Sequence, residues 1–296
     1  MVRVSRRTAQ GRTYLYLEHS YREGGEVRKK EVYLGRSLPS DIEARKKAFL
    51  SDIYRAKWHP LLEEIRLGFA KDRRRTPATA RDRNLAAFGV QFTYDTQRIE
   101  GSTLTLRETA DLLERGLTPA RPLRDVREAE AHIGVFRGML RERRDLSLGL
   151  VLRWHRDLFR GTRPDIAGRI REHSVAISGS RFTPPMPVEL QPLLRDFFRE
   201  YARERSRMHP VELAALVHLR LATIHPFSDG NGRVARLLTN FVLHRHGCPM
   251  VNIPYAGRGA YYTALERAQT KRMDRVFVRW LLRRYVKEHR RYLRPE

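Results

Sequence analysis

The stretch His225-Pro226-Phe227-Ser228-Asp229-Gly230-Asn231-Gly232-Arg233-Val234-Ala235-Arg236 decides how this chain is read. It packs a base, a carboxylate, two glycines and two arginines into one turn and the start of the helix after it. Leu237, Leu238, Phe241 and Val242 continue at helical spacing, and Gly247 stands where such a helix would stop. The first N–H groups of a helix have no partner within it and point at the preceding loop. The helix dipole adds partial positive charge there, so an anion is expected at that end. Gly230 and Gly232 let the backbone approach phosphates with no Cβ in the way. Asp229 suits a Mg²⁺ ion bridging phosphate oxygens, because such ions take one or two carboxylates. Arg233 and Arg236 lie at i and i+3 on one helix face, where their forked guanidinium groups can reach outer phosphates. His225 titrates near neutral pH and can accept a proton from an incoming hydroxyl. Singly, these residues have ordinary uses in turns, on solvated faces or as packed histidines. Together they point to a polyphosphate held beside a proton acceptor.

The run follows the pattern His-x-Phe-x-(Asp/Glu)-Gly-Asn-Gly-Arg-x-x-Arg, and so resembles the Fic family at every specified position. Fic proteins mostly transfer AMP from ATP to a hydroxyl side chain of a target protein. The resemblance implies that His225 is the catalytic base and that Asp229 holds Mg²⁺. It implies that Gly230, Asn231 and Gly232 form the anion hole around the α- and β-phosphates. Arg233 would bind the β-phosphate and Arg236 the γ-phosphate.

A second stretch, Thr96-Gln97-Arg98-Ile99-Glu100-Gly101, is similar to the family's inhibitory pattern. By that resemblance Glu100 pairs with Arg236 and keeps it from the γ-phosphate. A guanidinium committed to a carboxylate is not available to phosphate, and the carboxylate repels the phosphate as well.

Gly168-Arg169-Ile170-Arg171, Val175-Ala176-Ile177-Ser178-Gly179 and Phe182-Thr183-Pro184-Pro185 resemble the family's flap. Alternation around Val175 and Ile177 predicts a short β-hairpin, whose edge can take an extended peptide. The resemblance makes Ile177, Ser178, Gly179 and Ser180 the docking segment for a target protein. Tyr261-Tyr262 and Gln269 resemble the segment around the adenine, with Tyr262 and Gln269 as nucleotide-binding residues. Some relatives carry Asn where this chain has Gln269.

The rest of the chain sets the frame. Its 296 residues allow one large domain and a small one. At 41% hydrophobic it can bury a sizeable core, and no apolar run approaches a membrane span. Met1 to Arg7 lead into no apolar signal region, so a cytoplasmic location is the default expectation. Cys248 is the only cysteine, which excludes an intrachain disulfide and argues against a cysteine metal site.

Residues 2–8, 12–20 and 27–34 read as strands, with Gly24-Gly25 as a turn. Ser40-Asp41-Ile42-Glu43 reads as a capping box, and Pro60 as a kink or a fresh helix start. Lys71 to Pro77 reads as a linker or exposed turn. Helices are expected over 83–99, 105–115, 123–143, 148–159, 188–206, 210–224, 231–246, 259–269 and 273–289. The domain reading is a β-sheet appendage over 1–38 and a helical connector over 39–80. A Fic domain follows over 81–296, with its inhibitory helix near 84–100 and its catalytic core near 105–285.

The fold class expected is mainly α: a Fic-type helical core, a small β-hairpin flap and an N-terminal sheet with its helix. The function expected is AMP transfer from ATP with Mg²⁺ to a Ser, Thr or Tyr hydroxyl of a protein, autoinhibited through Glu100. Removal of AMP, transfer of another phosphate-containing group and a nucleic-acid-associated regulator stand as alternatives. The net charge of +25 bears on the last. Yet the basic residues are overwhelmingly arginine and spread along the chain. Tyr14, Tyr16 and Tyr33, interleaved with Arg28, Lys29 and Lys30, suggest a nucleic acid or an acidic partner at the appendage. A docking or dimerisation module is the alternative there, slightly favoured over it, and with it a homo-oligomer.

Overall fold

Strands β1 (Arg3–Ala9), β2 (Arg12–Glu23) and β3 (Glu26–Gly35) pair antiparallel in the order β1-β2-β3. They belong to a computed structural model that describes residues 2–23 and 26–294, so the Gly24-Gly25 turn lies outside the described residues. Gln10 and Gly11 join β1 to β2 with φ of 50° and 69°, the two-residue turn whose twist matches its strands. Pairing shifts from Tyr16↔Tyr33 to Leu15↔Gly35, which leaves Leu34 as a bulge residue. Leu34 can then join Leu15 and Leu17 on one face, where they are buried with Phe49 and Ile53 of helix α1 (Ile42–Arg75).

Helix α1 corrects two expectations. It begins at Ile42, one residue later than the capping-box reading placed it, and continues through Pro60 to Arg75. Pro60 therefore does not start a fresh helix but lies inside one. Its missing N–H removes one helical bond, and the buried Leu62 and Ile65 just beyond keep the helix going. Lys71 to Arg75 are the last helical turns; only Thr76 and Pro77 break the chain before the next helix.

The chain divides into two compact units, Met1–Glu63 and Glu64–Glu296. The second holds α2 (Ala78–Ile99), α3 (Leu106–Arg115), α4 (Leu123–Arg141), α5 (Leu148–Phe159) and α6 (Pro187–Glu204). It continues with α7 (Pro210–Ile224), α8 (Asn231–Arg245), α9 (Arg258–Thr270) and α10 (Arg275–Glu288). Local chemistry sets several ends. Thr105 and Glu108 make a capping box before α3, Gly116 closes it at φ 70°, and the Ser147 hydroxyl caps α5. Gly101, at φ 96°, turns the chain out of α2.

Helix α8 is the centre of this unit. Val234, Ala235, Leu237, Leu238, Phe241, Val242 and Leu243 are all at most 1% exposed. A helix apolar on all sides must be surrounded. Helix α7 packs along it, and α2, α4 and α5 close on it. The expected flap hairpin is not formed. Residues 170–186 carry no strand, and the Ser180 N–H bonds the Ile177 carbonyl at 3.1 Å in a lone tight turn. Val175 and Ile177 are half-buried while their neighbours are exposed, so the alternation is that of an extended loop laid on the surface. No described helix is long and apolar enough to cross a membrane.

Two buried histidines stiffen the core. His132 Nδ1 lies 2.9 Å from the Thr93 hydroxyl. His218 joins Thr239 at 2.8 Å and Tyr261 at 2.9 Å. Burial, reinforced by the charge of Arg236, pushes both pKa values down to about 3. The unfolded chain therefore binds more protons than the folded one between about pH 6.5 and 3. Stability is full above that window and falls as pH drops through it, by about 1.4 kcal/mol per pH unit for each histidine. Urea unfolding at pH 7.5 and pH 5 is expected to show this loss. A His132→Asn variant should lose less between the two pH values than the wild type, and an equal loss would remove His132 from the account.

Candidate active site

The α7–α8 turn is built by backbone constraints at both ends. His225 takes the left-handed conformation, φ 50° and ψ 56°, and stops α7. Gly230, at φ 81°, opens α8. A Cβ there would lie 2.4 Å from the Phe159 ring, so only glycine fits. The Asn231 side chain accepts the Phe227 N–H at 2.9 Å and donates to the Phe227 carbonyl at 2.8 Å. That amide is spent on the loop, and only its backbone N–H is left for an anion. His155, which the sequence reading missed, stacks on Phe227 at 3.8 Å. Gly168 N–H donates to its Nδ1, so its Nε2–H donates to the Asp229 carbonyl at 3.0 Å. Burial holds His155 neutral, with a pKa of about 4.

His225 Nδ1 sits 3.3 Å from the Ala222 carbonyl. Donation there fixes the tautomer and leaves Nε2 as a free acceptor. Burial lowers the His225 pKa below its ordinary value, and the Arg171 charge adds to the effect. The imidazole is thus a base at neutral pH.

Arg233 and Arg236, on α8, are each 2% exposed. Arg233 pairs with Glu128 of α4 and, at 3.0 Å, with Asp229. Arg236 bonds Glu100 at 2.5 Å, and the Thr96 hydroxyl and carbonyl at 3.3 Å each. Arg236 Nη1 and Arg233 Nε remain buried without a hydrogen-bond partner. Such unspent donors beside a helix N-terminus suit phosphate oxygens.

Glu100 caps the C-terminus of α2 and reaches the N-terminus of α8. A Cβ on Gly232 would stand 2.5 Å from its Oε1. Its carboxylate therefore lies against Gly232, in the first turn of α8. Asp95 bolts α2 in place, accepting from Asn252 at 2.5 Å and the Tyr255 N–H at 2.7 Å, while Gln91 of the same helix steadies its carboxylate at 2.7 Å.

Asp229 carries a denser set of partners than its sequence suggested. Oδ2 takes Arg163 at 2.5 Å as well as Arg233, and Oδ1 takes the Gly230 N–H at 2.5 Å. Burial alone would raise its pKa, but Arg233, the Gly230 N–H and Arg163 together hold it below the ordinary carboxylate value. Among the described residues no three His, Cys, Asp or Glu side chains gather as a metal cage. A lone ionised carboxylate fits Mg²⁺ only when phosphate oxygens and water complete the shell. Arg163 would have to yield one side of the carboxylate.

The flap joins this centre through Arg171, 3% exposed and without an acidic partner. Its guanidinium donates to the carbonyls of His225 at 2.8 Å, His173 at 2.8 Å and Pro185 at 2.6 Å. Its own N–H bonds the Pro226 carbonyl. Beyond the turn, Arg181 reaches Glu266 of α9 at 3.1 Å. Ile177 and Ser180 are half-buried, and Ser178 and Gly179 are exposed at the tip. Tyr262, 46% exposed, donates to the Ile99 carbonyl at 3.1 Å. Gln269 stands half-buried two turns further along α9.

The chain is similar to known proteins in sequence and fold. The Fic/DOC family matches residues 145–243. Protein adenylyltransferase fic-1 of Caenorhabditis elegans is 34% identical over 212 residues, covering 68% of this chain and 41% of the relative. Protein adenylyltransferase Fic of Drosophila ananassae is 36% identical over 198 residues, 64% of this chain and 39% of that protein. This chain thus spans about 40% of the length of these curated relatives. The solved structure of C. elegans Fic-1 superposes with a TM-score of 0.69 at 30% identity, covering 85% of this chain and 74% of that one. A Fic domain-containing signaling protein from Bacteroides thetaiotaomicron gives 0.71 at 28% identity, over 78% and 95% of the two chains. The chain belongs to the Fic/DOC family.

Gly230→Ala is expected to destabilise the protein by about 2–4 kcal/mol, from a strained left-handed alanine and a clash with Phe159. Adding Phe159→Leu should recover part of the loss in urea titration. No recovery would mean that the ring is not what excludes a side chain.

Proposed function

We propose that this chain transfers AMP from ATP to a Ser, Thr or Tyr hydroxyl of a target protein. One observation carries the reading: His225 presents a free Nε2 beside the open N-terminus of α8, where Arg233 and Arg236 keep unspent donors. The adenylyltransferase relatives support it. His225 Nε2 takes the proton of the hydroxyl, whose oxygen forms a bond to the α-phosphorus. The bond from that phosphorus to the bridging oxygen breaks, and pyrophosphate leaves. Backbone N–H groups of Asn231 and Gly232 hold phosphate oxygens, joined by that of Gly230 once Asp229 releases it, with Arg233 and Arg236 on the outer phosphates. Fixed donors of this kind stabilise developing charge without reorganising. Mg²⁺ at Asp229 would supply positive charge to the phosphate oxygens. Tyr262 and Gln269 line the adenine end. The turn Ile177 to Ser180, exposed at Ser178 and Gly179, would meet the target.

The same reading makes Glu100 an inhibitor. Its carboxylate occupies the anion position at α8 and engages Arg236, so a γ-phosphate is repelled and lacks its guanidinium. ATP bound in that state is misaligned for attack. Glu100→Gly is expected to raise AMP incorporation several-fold, read by intact mass after incubation with ATP and Mg²⁺. It should also cost about 1–3 kcal/mol of stability, since a charge-assisted pair is lost. Adding Arg236→Ala should abolish the gain. A Glu100→Gly protein no more active than wild type on itself or a target would sink the inhibitory role. If it lost only an AMP-removing activity, hydrolysis would become the better reading.

His225→Ala should lower transfer by on the order of 10²–10⁴-fold with ATP binding retained. In the Glu100→Gly background the rate should fall on acidification only below pH 6.5, because the base must be unprotonated and its pKa is depressed. An acid limb centred above pH 6.5 would contradict that assignment.

A further inference from the structure

The outer face of the sheet carries features that catalysis leaves unused. Pairing puts Tyr14, Tyr16 and Tyr33 opposite to the buried Leu15, Leu17 and Leu34. The solvent face of an antiparallel sheet needs only polar residues. Here it bears three rings, with centroids 6.2 Å apart for Tyr14–Tyr33 and 5.4 Å for Tyr16–Tyr33. Tyr33 is 51% exposed. The Arg7 guanidinium lies 4.5 Å over the Tyr16 ring, and Arg36 lies 5.9 Å from the Tyr14 ring. Guanidinium planes and aromatic rings are both surfaces on which bases stack.

Charge on this face is ordered. Glu18, 4% exposed, accepts from Arg3 at 3.3 Å, Arg7 at 3.2 Å and Lys29 at 2.7 Å. Glu31 accepts from Arg7 as well. Three cations around two carboxylates leave the cluster positive, and Arg36 adds to it. The bond from Lys29, then those from Ser5 and Arg7, hold the Glu18 carboxyl down at about 2, so the frame persists at neutral pH.

We propose that this face binds single-stranded nucleic acid, with bases stacked on Tyr33 and its neighbours and phosphates at Arg3, Arg7, Lys29 and Arg36. The combination of aromatic platforms with cations argues for that occupant. Duplex nucleic acid hides its base faces and would leave the rings idle. An acidic peptide would use the cations alone. A second copy of the chain would bring positive charge against positive charge.

The test is fluorescence anisotropy of the full chain with labelled 20-nucleotide single strands, a 20-base-pair duplex and polyglutamate. Single strands should bind tightest, and binding should weaken with salt. Tyr33→Ala should weaken it by about five- to a hundredfold. Arg7→Gln should weaken it and flatten the logarithmic salt dependence by about 0.7. Arg143→Gln, an exposed arginine of the other unit, should change neither. Unchanged melting temperatures would confirm that the variants are folded. Should Tyr33→Ala distort the sheet, Tyr33→Ser and Tyr33→Phe decide, the first weak and the second near wild type. The proposal fails if the duplex or polyglutamate binds as well as single strands. It also fails if Tyr33→Ala binds normally, or if Arg143→Gln is as damaging as Arg7→Gln.

Discussion

Two guanidinium groups are buried on the most enclosed helix of the molecule, and the second unit is arranged around keeping them compensated. An unpaired cation in such a place would carry a desolvation penalty of several kcal/mol. Helix α4 therefore contributes Glu128 and the turn contributes Asp229, both to Arg233. Helix α2 contributes Glu100 with the Thr96 carbonyl and hydroxyl to Arg236. Helices α2 and α4 are thus tied to α8 by charge as well as by packing. The two arginines also differ. Arg233 has two acids, one of them 7% exposed at its side chain, whereas the acid on Arg236 is 23% exposed. One cation is fixed in a closed network. The other rests on a carboxylate that already touches water.

That asymmetry bears on the chemistry proposed for the site. A phosphate can replace Glu100 without leaving a buried charge uncompensated, since it brings its own negative charge to the same donors. Replacing Glu128 would strand a carboxylate in the core. The site is thus divided into a permanent half around Arg233 and an exchangeable half around Arg236. His225 belongs to the permanent half. Its carbonyl is held by Arg171, its ring nitrogen by Ala222, and its turn by Asn231 and His155.

The helix set and the turn between α7 and α8 were legible because their signals are local. A helical apolar stripe, a capping residue or a glycine needed for positive φ is written within a few positions. Glu100 and Arg236, 136 residues apart, became legible together only through a family pattern. Glu128, His155, Arg163, Arg171 and Asp95 were missed because their roles depend on which helix faces meet. A signal existed for Glu128 and His155, polar residues on the buried stripes of α4 and α5. The flap misled for the opposite reason. Its alternation is real, but a strand needs a partner edge, and Arg171 ties the two arms of the loop to side-chain donors instead. Pro60 does not start the fresh helix it allowed, because its local cost was smaller than the burial on its flanks.

The place of Glu100 at the very end of α2 sets how far the protein must deform to let it go. Asp95 sits more than a turn earlier and is bonded to Asn252 and to the Tyr255 N–H outside α2, so the body of α2 behaves as a fixed post. Glu100 lies past the last helical residue, next to a glycine already free of side-chain hindrance. Withdrawal of the carboxylate by loosening the terminal turn would break the Tyr262 bond to Ile99 and the Gln97 bond to the Glu128 carbonyl, and would disturb the buried Ile99. Opening one helix end costs less than lifting a whole helix off a core, which would expose far more apolar surface. Control at this site would then be a matter of fraying equilibrium, graded by small changes at one helix tip rather than thrown by a domain movement.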